Sequence, residues 1–179
     1  MKISVIIPVF NEEKYILKVL KNVNSYKNKL NLEILVSDDG STDETLSILK
    51  KNENLYDVFI EGKENKGKGS AIKNATKFIT GDYVIIQDAD LEYNPEDYVK
   101  LIDPINKFGA EVVFGSRFKG SDAKRIIYFK NRVANFVLSL IVSFVTNINF
   151  SDVETGYKVI KSDIFKGLNL TENSFAIEI

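Results

Sequence analysis

The sequence predicts an α/β fold, an open and doubly wound sheet, mostly parallel, with helices on both faces. Three observations carry this expectation. Short β-branched runs alternate with stretches of helical period, the pattern of repeated strand-helix-strand units whose right-handed crossovers return each strand beside its predecessor. Polar residues gather directly after the apolar runs, where the ligand crevice of such sheets lies. The chain has 179 residues and is 44% hydrophobic, enough for one well-buried core and too little for two, so residues 1–179 are expected to form a single domain.

Taken in order, Ile3 to Ile7, Leu32 to Val36, Val58 to Ile60, Tyr83 to Ile86 and Glu111 to Phe114 read as strands. The first helix carries Tyr15, Ile16, Val19, Leu20 and Val23 on one face, with Asn11 placed to cap it. The second begins at Ser41-Thr42-Asp43-Glu44, where Ser41 and Glu44 have capping-box spacing ahead of Leu46, Ile48 and Leu49. Gly67-Lys68-Gly69 reads as a tight entry into a third helix containing Ala71, Ile72, Ala75 and Phe78. The longest apolar run, Phe136 to Val145, includes two serines and has half of the roughly 20 residues that a membrane-spanning helix requires. Core packing or a bilayer surface would each suit it.

Composition narrows the chemistry. Lys and Arg number 24 against 25 Asp and Glu, so no overall field favours nucleic acid as partner, and any anion site must be local. There is no Cys and no His, which excludes thiol nucleophiles, disulfides, imidazole or thiolate metal sites and histidine acid-base catalysis. Carboxylates, amines, hydroxyls and hard metal ions remain. The N-terminus runs from Lys2 straight into an apolar strand without signal-peptide features, so a cytoplasmic location is expected.

The acidic motifs carry the strongest signal. Asp88, Asp90 and Glu92 alternate after the strand Tyr83 to Ile86, and period-two spacing can set three carboxylates on one side, where a cation would relieve their repulsion. Oxygen ligands suit magnesium or manganese, which keep positions open for substrate phosphates. An ordinary solvated turn has the same local pattern. In Asp38-Asp39-Gly40-Ser41-Thr42-Asp43 one carboxylate can cap the next helix while the other could accept from a ribose hydroxyl or a base N–H. Gly62 to Lys68 has P-loop spacing, but Gly69 stands where a P-loop needs Ser or Thr for magnesium. Lys68 and the amides of the following turn could instead face an anion. Arg117 and Arg132 are two of only three arginines in a lysine-rich chain; a guanidinium grips phosphate bidentately as lysine cannot, although a surface ion pair is the competing explanation.

Together these motifs resemble the family 2 glycosyltransferases, and within them the polyprenyl-phosphate (dolichyl-phosphate) mannosyl or glucosyl transferases. The resemblance rests on the segments Val5 to Glu12, Asp38 to Asp43, Asn65 to Ala71, Gln87 to Tyr93, Gly115 to Phe118 and Asp152 to Lys158, which occur in the family's order. It implies a GT-A-type, Rossmann-like fold, a UDP- or GDP-sugar donor, a Mg²⁺ or Mn²⁺ ion, and a polyprenyl phosphate acceptor at the cytosolic face of a membrane, with the chain as a peripheral membrane protein. By motif position, Pro8, Asn11 and Glu12 open the donor site, Asp39 is the base- or ribose-binding acid, and Lys68 and Gly69 lie near the nucleotide. Asp88 and Asp90 match the metal motif, and Glu92 replaces a glutamine that reaches the metal in many relatives. Arg117 and Arg132 resemble the residues that receive the acceptor phosphate, and Asp152, Glu154 and Lys158 match a later motif. If the acceptor were a sugar hydroxyl, Asp152 or Glu154 would be the candidate base. The family continues past the point where this chain stops, at Glu178-Ile179, so a truncation inside an element starting near Ser174 is expected. A nucleotide-sugar-binding module without transfer activity is the alternative, and a P-loop-like ATPase a third reading.

Overall fold

The computed structural model describes residues 1–91, 93–118 and 128–170. Among them, one sheet contains β1 (Ile3–Val9), β2 (Leu32–Asp38), β3 (Val58–Glu61), β4 (Tyr83–Ile86), β5 (Val112–Phe114) and β6 (Lys158–Lys161). Their order is β3-β2-β1-β4-β6-β5. The β1–β2, β2–β3 and β1–β4 pairs are parallel, whereas β6 runs antiparallel to both β4 and β5. The helices are α1 (Ile16–Ser25), α2 (Lys27–Leu30), α3 (Thr45–Lys51), α4 (Lys68–Thr76), α5 (Tyr98–Phe108), α6 (Phe129–Thr146) and α7 (Ser162–Gly167). The α/β class and the mostly parallel sheet are those expected.

Strand alternation distributes the core over both faces. Ile3, Val5 and Ile7 of β1 pack with Ile16, Leu20 and Val23 of α1, Leu49 of α3 and Leu101 and Ile105 of α5. The intervening Ile6 packs with Leu35 of β2, Ile72 and Ala75 of α4, and Phe165 of α7 on the opposite face. Every residue of β1 and β2 is buried, which explains why these central strands read as continuous apolar runs.

Several local expectations are corrected. Asn11 does not cap α1: it has a positive φ of 53°, and its Oδ1 accepts from the Thr42 amide at 2.8 Å. The capping box also does not form. Asp43 Oδ1 accepts from the Thr45 amide and Ser41 Oγ from the Asn11 amide, so α3 starts a turn later. Tyr15 and Phe78 are exposed and off the core faces. Glu111 lies just outside β5. The reversed β6 was not anticipated, because four residues that begin and end with lysine carry little periodic signal.

At the edge of the sheet remote from the strands' carboxyl ends, Glu33 is held by Ser4 Oγ (2.6 Å), Lys2 Nζ (2.9 Å), Thr80 Oγ1 (2.5 Å) and the Thr80 amide (3.0 Å). Burial alone would raise its pKa; these donors outweigh burial and hold it at about 2 against the usual 4.5. Because the folded pKa is depressed, the stabilisation is complete above about pH 4.5 and is lost as pH falls towards 2. Solvent screening discounts the full shift, leaving on the order of 1 to 2 kcal/mol. Urea unfolding of Glu33→Gln is expected to show lower stability at pH 7 and a flatter pH dependence between pH 5 and 2 than the parent. Parallel profiles would contradict this role.

Candidate functional site

The order of the sheet reverses at β1: β2 and β3 lie on one side, β4 and the later strands on the other. A crevice therefore opens between β1 and β4 beyond their carboxyl ends. The last bond across this pair runs from the Gln87 amide to the Ile6 carbonyl at 2.9 Å. Two residues further on, Pro8 faces the same side and has no N–H to extend the pairing, so the strands part there.

The segments entering this crevice are tied to one another by backbone contacts. Asp39 N donates to Val9 O, and Asp39 Oδ2 accepts from the amides of Lys66 (3.1 Å) and Gly67 (2.6 Å) at the start of α4. Asp38 Oδ2 accepts from the Gly40 and Ser41 amides, while its buried Oδ1 has no hydrogen-bond partner among the described residues. Gly40 has φ +74°, and a Cβ there would come within 2.7 to 2.9 Å of the Glu64 backbone, so the two turns approach more closely than any side chain would permit. Glu12 N donates to Thr45 Oγ1, and the Glu12 carbonyl accepts from Tyr15 and Ile16 at the start of α1.

Asp88 leaves β4 into this crevice. Its Oδ1 lies 2.5 Å from Lys68 Nζ, and the lysine side chain is only 8% exposed. Burial raises the pKa of Glu12, and the negative charges of Asp90, Asp43 and Asp88 raise it further, so these carboxylates share a field that the nearby lysine leaves uncancelled. Asp88, partly buried, and Asp90, exposed, are hard oxygen donors on one acidic turn, which fits Mg²⁺ or Mn²⁺ completed by phosphate oxygens rather than an all-protein cage. Among the described residues no cluster of three metal-binding side chains forms; Glu92 lies outside them.

A polar network that sequence reasoning did not single out lies beneath this acidic turn. The buried amide of Gln87 accepts at Oε1 from Tyr98 (2.7 Å) and Tyr157 (2.9 Å), and its Nε2 donates to the Asp88 carbonyl (2.9 Å). Burial pushes both tyrosine pKa values well up, so the phenols stay protonated as donors. Leu91 adopts φ 64°, an uncommon conformation for a branched aliphatic residue, and is held by packing on the main core. Across the turn, Gly156 N donates to Tyr93 Oη at 2.7 Å. A Cβ on Gly156 would lie 2.9 Å from the Tyr93 ring and 3.1 Å from Asp88 Oδ2.

The segment 152–157 carries the second cluster. Arg117 holds Asp152 with a fork, Nε to Oδ2 at 2.9 Å and Nη2 to Oδ1 at 2.8 Å, and adds its backbone amide to Oδ2. Asp152 is 2% exposed, and Glu154 Oε2 lies 3.9 Å from the same guanidinium. Arg132, on α6, and Arg117 both approach the Phe118 ring, with guanidinium carbons 5.8 and 5.7 Å from its centroid. Asn135 and Ser139 of α6 also reach this segment. Lys158 instead donates to Thr155 O and lies over Phe114.

The fold thus brings Pro8, Asn11, Glu12, Asp39, Lys68, Gly69, Asp88 and Asp90 around one crevice, and Arg117, Arg132, Asp152 and Glu154 around another cluster. The segment 152–157 touches both. The description "Glycosyl transferase family 2" matches residues 4–168, and the chain belongs to that family. It is 29% identical to a dolichol-phosphate mannosyltransferase of Pyrococcus furiosus over 99% of this chain and 51% of that protein. It is 30% identical to a UDP-N-acetylglucosamine–dolichyl-phosphate N-acetylglucosaminyltransferase of Methanococcus voltae, over 93% of this chain and 72% of that protein. The chain spans about half the length of the Pyrococcus relative. The crystal structure of glucosyl-3-phosphoglycerate synthase from Mycobacterium tuberculosis superimposes with a TM-score of 0.75 at 20% identity, covering 99% of this chain and 63% of that one. The GT-A fold is therefore the one adopted here.

Proposed function

We propose that this chain is the donor-binding and catalytic part of a metal-dependent, inverting glycosyltransferase that moves a hexosyl group from a nucleoside-diphosphate sugar to a polyprenyl phosphate at the cytosolic face of a membrane. The observation that carries the proposal is the segment 152–157, which abuts Asp88 through Gly156 and grips Arg117 through Asp152. Two anionic substrates, one on each side of this segment, would be brought together. The names of the two archaeal relatives supply the lipid acceptor class.

In this reading Asp39 and the start of α4 receive the nucleotide, and Asp88 and Asp90 hold a Mg²⁺ or Mn²⁺ ion. Such an ion, when bound, offsets charge on the departing diphosphate. Lys68 holds Asp88 in place, and Gln87 fixes the backbone from which it projects. Arg117 and Arg132 draw the acceptor phosphate against the donor and offset its charge. A phosphate monoester, with a second pKa of about 6, is largely dianionic near neutrality and needs no protein base. The enclosed, doubly gripped Asp152 suits a positioning role rather than proton abstraction. Attack from the face opposite the leaving diphosphate inverts the anomeric centre.

α6 supports the membrane part of the reading. Its buried residues are Asn135 and Ser139, whereas Phe129, Phe136, Leu140, Phe144 and Val145 are exposed, Phe144 by 89%. A helix that turns its polar residues inward and its aromatic residues outward, beside a lipid-phosphate site, suits the surface of a bilayer. No helix among the described residues is long and apolar enough to cross a membrane. Phe136→Glu combined with Phe144→Glu is expected to weaken binding to phosphatidylcholine/phosphatidylglycerol vesicles on the order of a hundredfold without altering donor affinity. Unchanged vesicle binding would remove α6 from the interface.

The enzymatic reading is tested with radiolabelled GDP-mannose, UDP-glucose and UDP-N-acetylglucosamine, a short polyprenyl phosphate, and Mg²⁺ or Mn²⁺. Organic-extractable product that requires the metal supports it and identifies the donor. Donor binding without product would leave the chain a binding module.

A further inference from the structure

Of the eighteen residues of α6, the two that are buried are both polar, and both point into the segment that holds Arg117. Asn135 is 2% exposed. Its Nδ2 donates to Asp152 Oδ1 at 2.9 Å, the same oxygen that Arg117 Nη2 reaches, and its Oδ1 accepts from the Glu154 amide at 3.3 Å. Ser139, one turn further along α6, accepts at Oγ from the Val153 amide at 3.1 Å and donates to Asn135 Oδ1 at 3.5 Å. One amide thereby spans three consecutive residues of the segment together with its neighbouring hydroxyl, and fixes the carboxylate to which the Arg117 fork is fitted.

We propose that Asn135 is a positioning residue: acting through Asp152, it sets the Arg117 guanidinium for the acceptor anion and couples the seating of α6 to the geometry of the acceptor site. The argument is one of satisfied valences. An enclosed carboxylate held by a single arginine can rotate with it, whereas a second side-chain donor, the Asn135 amide on Oδ1, restrains the carboxylate plane and therefore the fork. The amide is also what lets an otherwise apolar helix seat on a polar segment without leaving the Glu154 N–H unsatisfied. Because α6 carries Asn135 inside and its aromatic residues outside, a displacement of the helix is transmitted to Asp152 through this contact. The identity of the anion as an acceptor phosphate rests on the function proposed above; the Asn135–Asp152–Arg117 linkage does not.

Asn135→Leu, which keeps the branching and the heavy-atom count and removes both polar groups, is compared with Asn135→Gln and with the parent on the full chain. Two readouts separate the linkage from the acceptor reading. The first is the Arg117 Nε–H resonance, assigned with Arg117→Lys. In the parent it is expected to exchange slowly, and in Asn135→Leu at least about tenfold faster, with the thermal transition still cooperative. An unchanged exchange rate in folded Asn135→Leu would overturn the proposal, whether or not the chain transfers sugar. The second is a kinetic split: KM for polyprenyl phosphate is expected to rise about tenfold or more while the nucleotide-sugar constant stays within twofold, with Asn135→Gln giving an intermediate value. Equal losses on donor and acceptor would reduce Asn135 to a residue of general stability and overturn the positioning role. A parent chain that shows the slow resonance and no transfer to polyprenyl phosphate would instead count against the acceptor reading alone.

Discussion

Asp90→Ala is expected to lower sugar transfer on the order of a thousandfold while the chain remains folded. A carboxylate does not itself stabilise the departing diphosphate; its removal would act through the ion it would hold, and loss of such charge compensation costs about two to three powers of ten. Asp90 lies in the acidic field that also raises the Glu12 pKa, and in the proposed reading its loss removes a metal-binding oxygen from a site in which Asp88 is already engaged with Lys68 at 2.5 Å. Donor binding should lose most of its metal dependence, and Asp90→Asn, which keeps the shape and one oxygen, should fall between the two. The check is a titration of Mn²⁺ and Mg²⁺ against transfer and against donor binding. A variant that retains full transfer at low metal would show that the ion is not held here.

Arg117→Lys is the second large effect. It keeps the charge and discards the fork, so it separates electrostatic attraction from geometric placement. The acceptor kcat/KM should fall about a hundredfold and the donor constant should hardly move. Stability should also fall, because Asp152 is enclosed and would lose a bidentate partner, a loss that costs about 3 to 5 kcal/mol where a buried pair is broken outright and less where a lysine can still approach. Kinetics with each substrate varied in turn, beside a urea unfolding curve, read both consequences. Equal damage to donor and acceptor terms would place Arg117 in the shared framework instead.

Much of this was legible from residues because the parallel part of the sheet writes itself plainly. β1 and β2 are buried along their whole length, so continuous β-branched runs followed by acidic turns announce both the strand and its ligand-facing end. Asp39, Asp88 and Asp90 were singled out as candidates in this way, and Lys68 from the glycine-lysine spacing ahead of α4. Turn chemistry was less legible, since Ser41 and Asn11 belong to helix-capping types yet bond to each other's segments across thirty positions; a local pattern cannot distinguish a cap from a tertiary staple. The antiparallel β6 and the buried amides were the least visible. Gln87 is defined by two tyrosines distant in sequence, which no spacing rule anticipates. Asn135 did leave a signal: with Ser139 it forms an i, i+4 polar pair in an apolar helix, and these two are buried while the aromatic residues are exposed, the reverse of a water-facing amphipathic helix.

The measurement that tests the central claim most directly compares a short polyprenyl phosphate with the corresponding polyprenol as acceptor, at fixed metal and with the preferred nucleotide sugar, and determines the anomeric configuration of the product. The account predicts transfer to the phosphate alone, with inversion, because the acceptor brings its own dianionic nucleophile and Arg117 is placed to receive it. Transfer to the free alcohol or to a saccharide hydroxyl would require a protein base, and would contradict the assignment of Arg117, Arg132 and Asp152 to an acceptor-phosphate site.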